Sequence, residues 1–405
     1  MVCPAFVLGA MMGRLAGQAV MVLGAGVAGL ALARALALRG AEVTVLEQAE
    51  AIREVGAGLQ ITPNGAVVLR ALGLGDALEA ATTRASAVEL RDGRDDSLVL
   101  RMDLARPKAS PGWHLTHRAD LIDLLAEGAR QAGAQIRLLQ RIETVDLSGA
   151  CPRLRTAQGA GMEPAVLIGA DGLHSKLCSA LNGGGAPHFT GQAAWRAVIP
   201  CEPGAVPVAE VHMEAGRHLV SYPLRGGQLR NIVAVEERAH WVEEGWNLPD
   251  DPLALRLAFE GFGPRVQGWL EQVEQVWLWG LFRHPVAQSW GRVLPQGMAA
   301  ILGDAAHPTL PFLAQGANMA LEDAWVLAET LDRFGPGQAA LDAYQAARAP
   351  RCTRIVAAAN ANARAYHLSG FKRGIGHLAL RTAGLIAPGL ALQRFQWVHG
   401  LDVTR

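Results

Sequence analysis

The sequence predicts a mixed α/β (α+β) protein with a βαβ opening, an antiparallel middle and a helical end. Three observations carry this. First, the apolar run QAVMVLG (18–24) enters GAGVAG and an Ala/Leu-rich segment, and a second apolar run, AEVTVLEQ, follows. Together they make a Rossmann-like βαβ unit of about 30 residues. Second, from about Pro187 to Trp290 tryptophans become frequent, and runs such as RHLVSYPL and NIVAVEE alternate with the period of an antiparallel sheet. Third, helical character returns at Asn318 and continues nearly to the end.

Taken in order, the opening MVCPAFVLGAMMG is apolar, with Arg14 after the run rather than before it, and a strand starts almost at once. That is not the layout of a secretory signal. Residues 1–16 are expected as a loose extension, or as sequence upstream of a start at Met11 or Met12. The helix after the glycine loop ends at Gly40, a C′ glycine. NGAVVLRALGL (64–74) predicts a helix, Ala85 to about Met102 alternates as strands, and residues 118–133 predict a second strong helix. AVLIGA (165–170) is a buried strand closed by Asp171-Gly172, and Gly183–Gly185 is a crossing between regions.

Composition narrows the functional classes. The 37 basic residues balance the 37 acidic ones, so no net field favours nucleic acid or an anionic membrane surface. The five cysteines show no CxxC or metal-ligand spacing, which points to a reduced, cytoplasmic protein with no metal site. No run reaches the ~20 apolar residues of a membrane span; Arg381 and Pro388 interrupt the nearest, 375–392.

Gly24, Gly26 and Gly29 form GxGxxG between a strand and a helix. The first permits the tight turn, the second lets backbone approach a pyrophosphate, and the third lets helix and strand pack closely. The helix start offers free N–H groups and a positive dipole end to phosphate. Glu47, 18 positions after the last glycine, ends the second strand and accepts hydrogen bonds from ribose hydroxyls. FAD and NAD both use such a unit, so the dinucleotide must be decided elsewhere in the chain.

Four further segments decide it: REVGAGLQITPN (53–64), HLTHRADLIDLL (114–125), IGADGLHSKL (168–177) and ILGDAAHPTLPFLAQGANMALEDA (301–324). With them the chain resembles the single-component, class A FAD-dependent aromatic hydroxylases, the para-hydroxybenzoate hydroxylase family. Within it the resemblance is to salicylate hydroxylase and 3-hydroxybenzoate 6-hydroxylase. It runs from about residue 18 to 345 and more weakly to the end. The resemblance implies a discontinuous FAD-binding domain (17–84, 103–182 and 291–345), a substrate domain (85–102 and 183–290) and C-terminal helices (346–405), in a monomer or homodimer. The alanine-rich faces of those helices either make dimer contacts or pack on the FAD domain.

The resemblance also implies roles. Arg118 would reach the FAD pyrophosphate, a task for a planar fork that stays charged. Asp171 belongs to a motif linked to FAD and to transient NADH or NADPH contact. Asp304 would bind the ribityl hydroxyls, because a carboxylate accepts two hydrogen bonds at once. Gly316, Ala317 and Asn318 open a helix whose N–H groups would face the anionic N1–O2 edge of reduced flavin. Gly56, Gly58 and Gln60 would pass near the isoalloxazine. His307 and Pro308 either shape the loop or touch the ring.

The implied reaction is hydroxylation of a phenolic aromatic acid by NAD(P)H and O2 through a flavin C4a-hydroperoxide. The protein must draw the phenol's proton toward a base and keep the site dry. His218 and Tyr222 lie four apart on a strand and so share a face. The resemblance includes an H-x-x-x-Y pair here, with His218 as base or phenolate stabiliser and Tyr222 as its hydrogen-bonding companion. Histidine suits the task because its ordinary pKa is about 6.5. Gln315 would hydrogen-bond the substrate, and Trp113 and Trp195 would line an aromatic pocket or pack as core. Arg217, Arg225 and Arg283 are available for a carboxylate, but nothing in the sequence selects one. The alternatives are a flavin monooxygenase acting on another ring (a hydroxynicotinate, quinone precursor or polycyclic metabolite) and an FAD-binding redox protein that does not hydroxylate.

Overall fold

A computed structural model describes residues 13–52, 57–104, 111–239, 248–387 and 389–405. The expectations for Gly56 and residues 1–12 lie outside them, as do Trp241 and Trp246 of the tryptophan-rich stretch. Residues 13–16, expected as the end of a loose extension, instead form a turn with Leu15 fully buried, because Leu15 joins the main core.

The first sheet has six strands in the order 291–294, 297–301, 166–169, 19–23, 42–46, 135–137. All pair in parallel except Gly291–Leu294, which runs antiparallel at one edge. The inner strands are near-continuous apolar runs, as a parallel sheet covered on both faces requires. Helix Val27–Ala37 is buried along almost its whole length between this sheet and helix Gly316–Phe334. The strand carrying Gly24 and the strand leading to Asp304 are therefore two places apart, with 166–169 between them.

The second sheet has eight strands: 248–250, 276–283, 188–200, 229–237, 217–224, 208–214, 87–92 and 98–103. It is antiparallel apart from one parallel pair, Val208–Glu214 with Ala87–Asp92. One face carries Ala193, Trp195, Ala197, Leu219, Ile232 and Ala234 and is covered by helices Pro252–Ala258 and Pro264–Leu270. The opposite face, with Ala194 and Val235, meets Leu310 and Phe312 of the loop before helix Gly316–Phe334.

A small sheet, with order 58–61, 114–117 and 83–84, bridges the two. Beyond residue 337 the chain is helical: Gln338–Tyr366, Gly370–Ile386, Leu390–Arg394 and Gln396–His399. The first of these continues through Pro350. Among the described residues no helix is long and apolar enough to cross a membrane.

Candidate active site

The three glycines of GAGVAG differ in what a side chain would meet. At Gly24 the backbone has φ +93°, and a Cβ would come within 2.5 Å of the Ala170 carbonyl oxygen. At Gly29 a Cβ would run into the Gly24 carbonyl oxygen. At Gly26, the N-cap, a Cβ would meet nothing within 4 Å. No side chain caps this helix start. Two of the glycines thus close the loop, and the third keeps open the space in front of the helix dipole. Glu47 reaches back to the loop: its Oε2 accepts from the Ala25 N–H at 2.8 Å and its Oε1 from the Ala49 N–H at 2.9 Å.

The second loop packs directly on the first. Gly303 has φ +61°, and a Cβ there would press within 2.9 Å of Ala28 in the glycine-loop helix. The next residue, Asp304, is accessible although protein surrounds it, the setting of a group facing a cleft. Desolvation pushes its carboxyl above the usual range, with His307 and Arg118 drawing it back. Gly316 opens the 19-residue helix beside it, and a Cβ on Gly316 would lie 4.0 Å from Asp304 Oδ1. This helix start also has no side-chain cap.

A buried charge network fixes that loop. Asp323 accepts from the Gly303 N–H at 3.0 Å, from Arg348 Nε at 2.7 Å and from His307. Its carboxyl is held down at about 2: desolvation opposes this, but His307 and Arg348 outweigh it. His307 is correspondingly raised well above its ordinary value, against desolvation, by Asp323. Glu322, also fully buried, takes Arg351 at 2.8 Å, Asn64 Nδ2 at 2.6 Å and Arg348. His307 therefore shapes the loop. His307, Asp323 and Cys352 come close enough to share a cation, but the Arg348 guanidinium already occupies Asp323 Oδ1.

The remaining expected residues divide. Arg118 heads helix Arg118–Gln131 within electrostatic reach of Asp304, and its own N–H donates to the Ala57 carbonyl at 2.9 Å. Asp171 Oδ2 accepts from the Lys176 N–H at 2.9 Å, while Oδ1 is buried with no hydrogen-bond partner among the described residues. Gln60 accepts from Trp113 Nε1 at 2.9 Å, and its amide lies near the Tyr222 hydroxyl. Gly58 is a packing glycine, since a Cβ would strike Tyr222 and Asn231 within 2.8 Å.

One expectation needs correction, and two more are narrowed. Gln315 does not offer its amide to a substrate: Oε1 accepts from Asn64 and Nε2 donates to Thr62, both at 3.0 Å, with 1% of the residue exposed. A buried amide satisfies itself locally because an unmade hydrogen bond costs about 1–3 kcal/mol. The Asn318 side chain is likewise committed, to the Thr62 N–H and to the Gln60 and Ala314 carbonyls, leaving only backbone N–H groups to face the cleft. Trp195 lies on the helix-covered face of the large sheet, packed on Phe259 and bonded to Asp250 at 2.7 Å, so it lines no pocket.

His218 and Tyr222 do share the other face of the large sheet. Cross-strand register adds Val235, Val233 and Asn231 from one neighbouring strand, and Ala194 and Arg196 from the next. His218 is 1% exposed, and its ring lies 5.5 Å from Phe312 and 5.2 Å from Tyr366. Sequence reasoning missed Arg196 and His367. Arg196 stacks on Trp279 at 4.5 Å, and burial, with Arg118 nearby, draws its guanidinium down to about 10. His367 follows the long C-terminal helix, and its Nε2 lies 2.7 Å from His218 Nδ1. Strand alternation from Ala194 could have placed Arg196 on this face; nothing local could have brought residue 367 to residue 218. Of the three arginines left open, Arg225 is spent on Asp120 at 2.6 Å and Arg217 faces Glu236 at 3.8 Å.

Comparison with known proteins matches the FAD binding domain family over residues 18–359. A 3-amino-4-hydroxybenzoate 2-monooxygenase of Streptomyces platensis is 34% identical over 398 residues, 95% of this chain and 96% of that one. A 3-hydroxybenzoate 6-hydroxylase of Aquipseudomonas alcaligenes is 30% identical over 396 residues, 95% of this chain and 98% of its own. Among solved structures, a salicylate hydroxylase substrate complex shares the fold with a TM-score of 0.78 at 23% identity, covering 96% of this chain and 97% of that one.

Proposed function

The chain belongs to the class A FAD-dependent aromatic hydroxylases, and on that premise we propose that it hydroxylates a phenolic aromatic acid, using NADH or NADPH and O2. The observation that carries this is the shared sheet face of His218 and Tyr222, set across from the loop that joins Asp304 to the helix start at Gly316. Salicylate, 3-hydroxybenzoate and 3-amino-4-hydroxybenzoate are the acids that the relatives' activities suggest.

The residues fit FAD. Gly26 leaves space where a side chain would stand, two long helices start uncapped, and Asp304 faces a cleft in which Arg118 supplies positive charge. In this reading Gly24, Gly26, Gly29 and Glu47 hold the adenosine end and Arg118 the pyrophosphate. Asp304 holds the ribityl chain, and the N–H groups of Gly316, Ala317 and Asn318 hold the anionic edge of the ring. Asp171, just beyond the neighbouring strand 166–169, would contact FAD and, transiently, the nicotinamide cofactor. Bound FAD supplies the redox chemistry and oxygen activation. The FAD-binding part comprises 17–84, 103–182 and 291–345, and the substrate part 85–102 and 183–290.

The protein's own work is to orient the ring, exclude water and manage one proton. Tyr222, with burial raising its pKa, stays a neutral phenol that can donate to the substrate. His218 takes the phenolic proton. Arg196 lends positive charge on the same face.

The test is a screen of the three acids for stimulated NADH and NADPH oxidation, with product identification by mass spectrometry. A hydroxylated product from at least one is expected. Stimulated oxidation yielding only peroxide with all of them would overturn the reading.

A further inference from the structure

A base at His218 poses a difficulty. Burial, with His367 beside it, holds the His218 imidazole well below its ordinary pKa, so the ring resists carrying the charge it would acquire from a phenol. A buried group in that position needs somewhere to send the proton as it arrives.

The neighbouring groups supply a route. Among the described residues, the hydrogen bond made by the His218 ring is through Nδ1, to His367 Nε2 at 2.7 Å. His367 Nδ1 lies 2.9 Å from Glu237 Oε1, with Gln192 Nε2 at 3.2 Å. The Glu237 side chain is 58% exposed, whereas that of His367 is 2% exposed. Register puts His218 opposite Val235, and Glu237 is two residues further on the same strand, so both point to the same face. Among the described residues Tyr366, bonded to Asn362, is the other titratable group against His218. Arg217 and Arg238 pair with Glu236 rather than with Glu237.

We propose that His218, His367 and Glu237 form a proton exit that carries the phenolic proton of the bound substrate to solvent. The proposal rests on the reading of the substrate as a phenol facing His218. Both imidazoles start neutral with the proton on Nδ1 and the Gln192 amide turned so that its oxygen faces His367, so that His218 Nε2 presents its lone pair to the phenol. The phenol O–H breaks as His218 Nε2–H forms. His218 Nδ1–H passes to His367 Nε2, and His367 Nδ1–H passes to the Glu237 carboxylate, which loses it to water. One proton enters and one leaves, both rings end as the opposite neutral tautomer, and neither has to store positive charge. The depressed pKa of His218 is then compatible with its task. His367 and Glu237 touch no substrate and act by positioning and relaying.

The test has two arms. In the holoenzyme with ¹⁵N-labelled histidine, long-range NMR correlations report tautomers without any substrate. Both rings are expected as the Nδ1–H form, and an Nε2–H form at either would overturn the proposal. In the second arm, a phenolic acid that binds is mixed rapidly with holoenzyme in weak buffer. The phenolate absorbance and an indicator dye follow the proton. Wild type should form phenolate and release the proton together. His367→Gln should slow both by roughly 10²-fold, the low end of general-base effects, and added imidazole should restore His367→Gly. Glu237→Gln, at an exposed position that does not threaten folding, should slow proton release several-fold. Wild-type rates in both glutamine variants would sink the relay. If no phenolic acid binds, the substrate reading fails, while the tautomers still decide whether the relay is assembled.

Discussion

The two loops that meet at Gly303 and Ala28 serve one proposed cofactor but are built by different physics. The loop at 24–29 is fixed by sterics: a methyl group at Gly24 or Gly29 has nowhere to go. The loop at 303–318 is fixed by electrostatics, with Asp323 holding Gly303, His307 and Arg348 at once and Glu322 holding Arg351 and Asn64. Short-range repulsion does not depend on pH, and at Gly29 it arises within the loop itself. A buried charge network depends on pH and on distant residues. The difference predicts two separate modes of failure, and each substitution below addresses one of them.

The largest effect should come from Asp323→Asn. It leaves Arg348 and His307 buried beside an uncharged amide, and breaking a buried pair from one side costs about 3–5 kcal/mol. The fold should lose that much in denaturant titrations and release FAD during purification. The pH sign follows from the depressed carboxyl. Asp323 titrates at about 2 when folded, against an ordinary value of about 3.9. Its contribution is therefore complete above pH ~4 and lost as pH falls toward 2. Wild type should show that acid-side loss and Asp323→Asn should lack it. Equal acid profiles would mean the network is not what secures this loop.

Gly29→Ala should come next and should behave differently. The added methyl meets the Gly24 carbonyl oxygen, and overpacking of this kind costs about 1–3 kcal/mol or more. The destabilisation should be the same from pH 5 to pH 8 by thermal melting, because no titrating group is involved. A pH-dependent loss would break the contrast between the loops.

How much of this was legible beforehand follows the same division. The glycine loop and Glu47 lie within one βαβ unit, so spacing alone specified them. Asp304 and Arg118 came from the family resemblance of their motifs, and the fold brings the two within electrostatic reach of each other. The failures were long-range. Gln315 stands where a substrate contact looked reasonable, yet its amide serves Thr62 and Asn64, more than 250 residues earlier. Trp195, left open between pocket and core, went to the helix-covered core face, because register between strands decides the face and register is not local information. His367 reaches His218 only through the path of a 29-residue helix. Residue type told what these groups can do, and only the packing told with whom.

The smallest effect on stability, and the sharpest test of the steric loop, belongs to Gly26→Ala. Gly26 has φ −79°, which alanine adopts without strain, and its Cβ would enter open space. Replacing glycine restricts the unfolded chain by about 0.4–1 kcal/mol, which offsets alanine's poorer fit at an N-cap. The FAD-free protein should therefore melt at the same temperature or slightly higher. FAD should nevertheless bind at least tenfold more weakly, a loss of about 1.4 kcal/mol, because the methyl stands where the pyrophosphate must approach the helix start. Fluorescence quenching of titrated FAD reads the affinity, and melting reads the fold. Undiminished affinity would show that the space before Gly26 is not the phosphate site. A lowered melting temperature would show that Gly26, like Gly29, is there to close the loop rather than to keep it open.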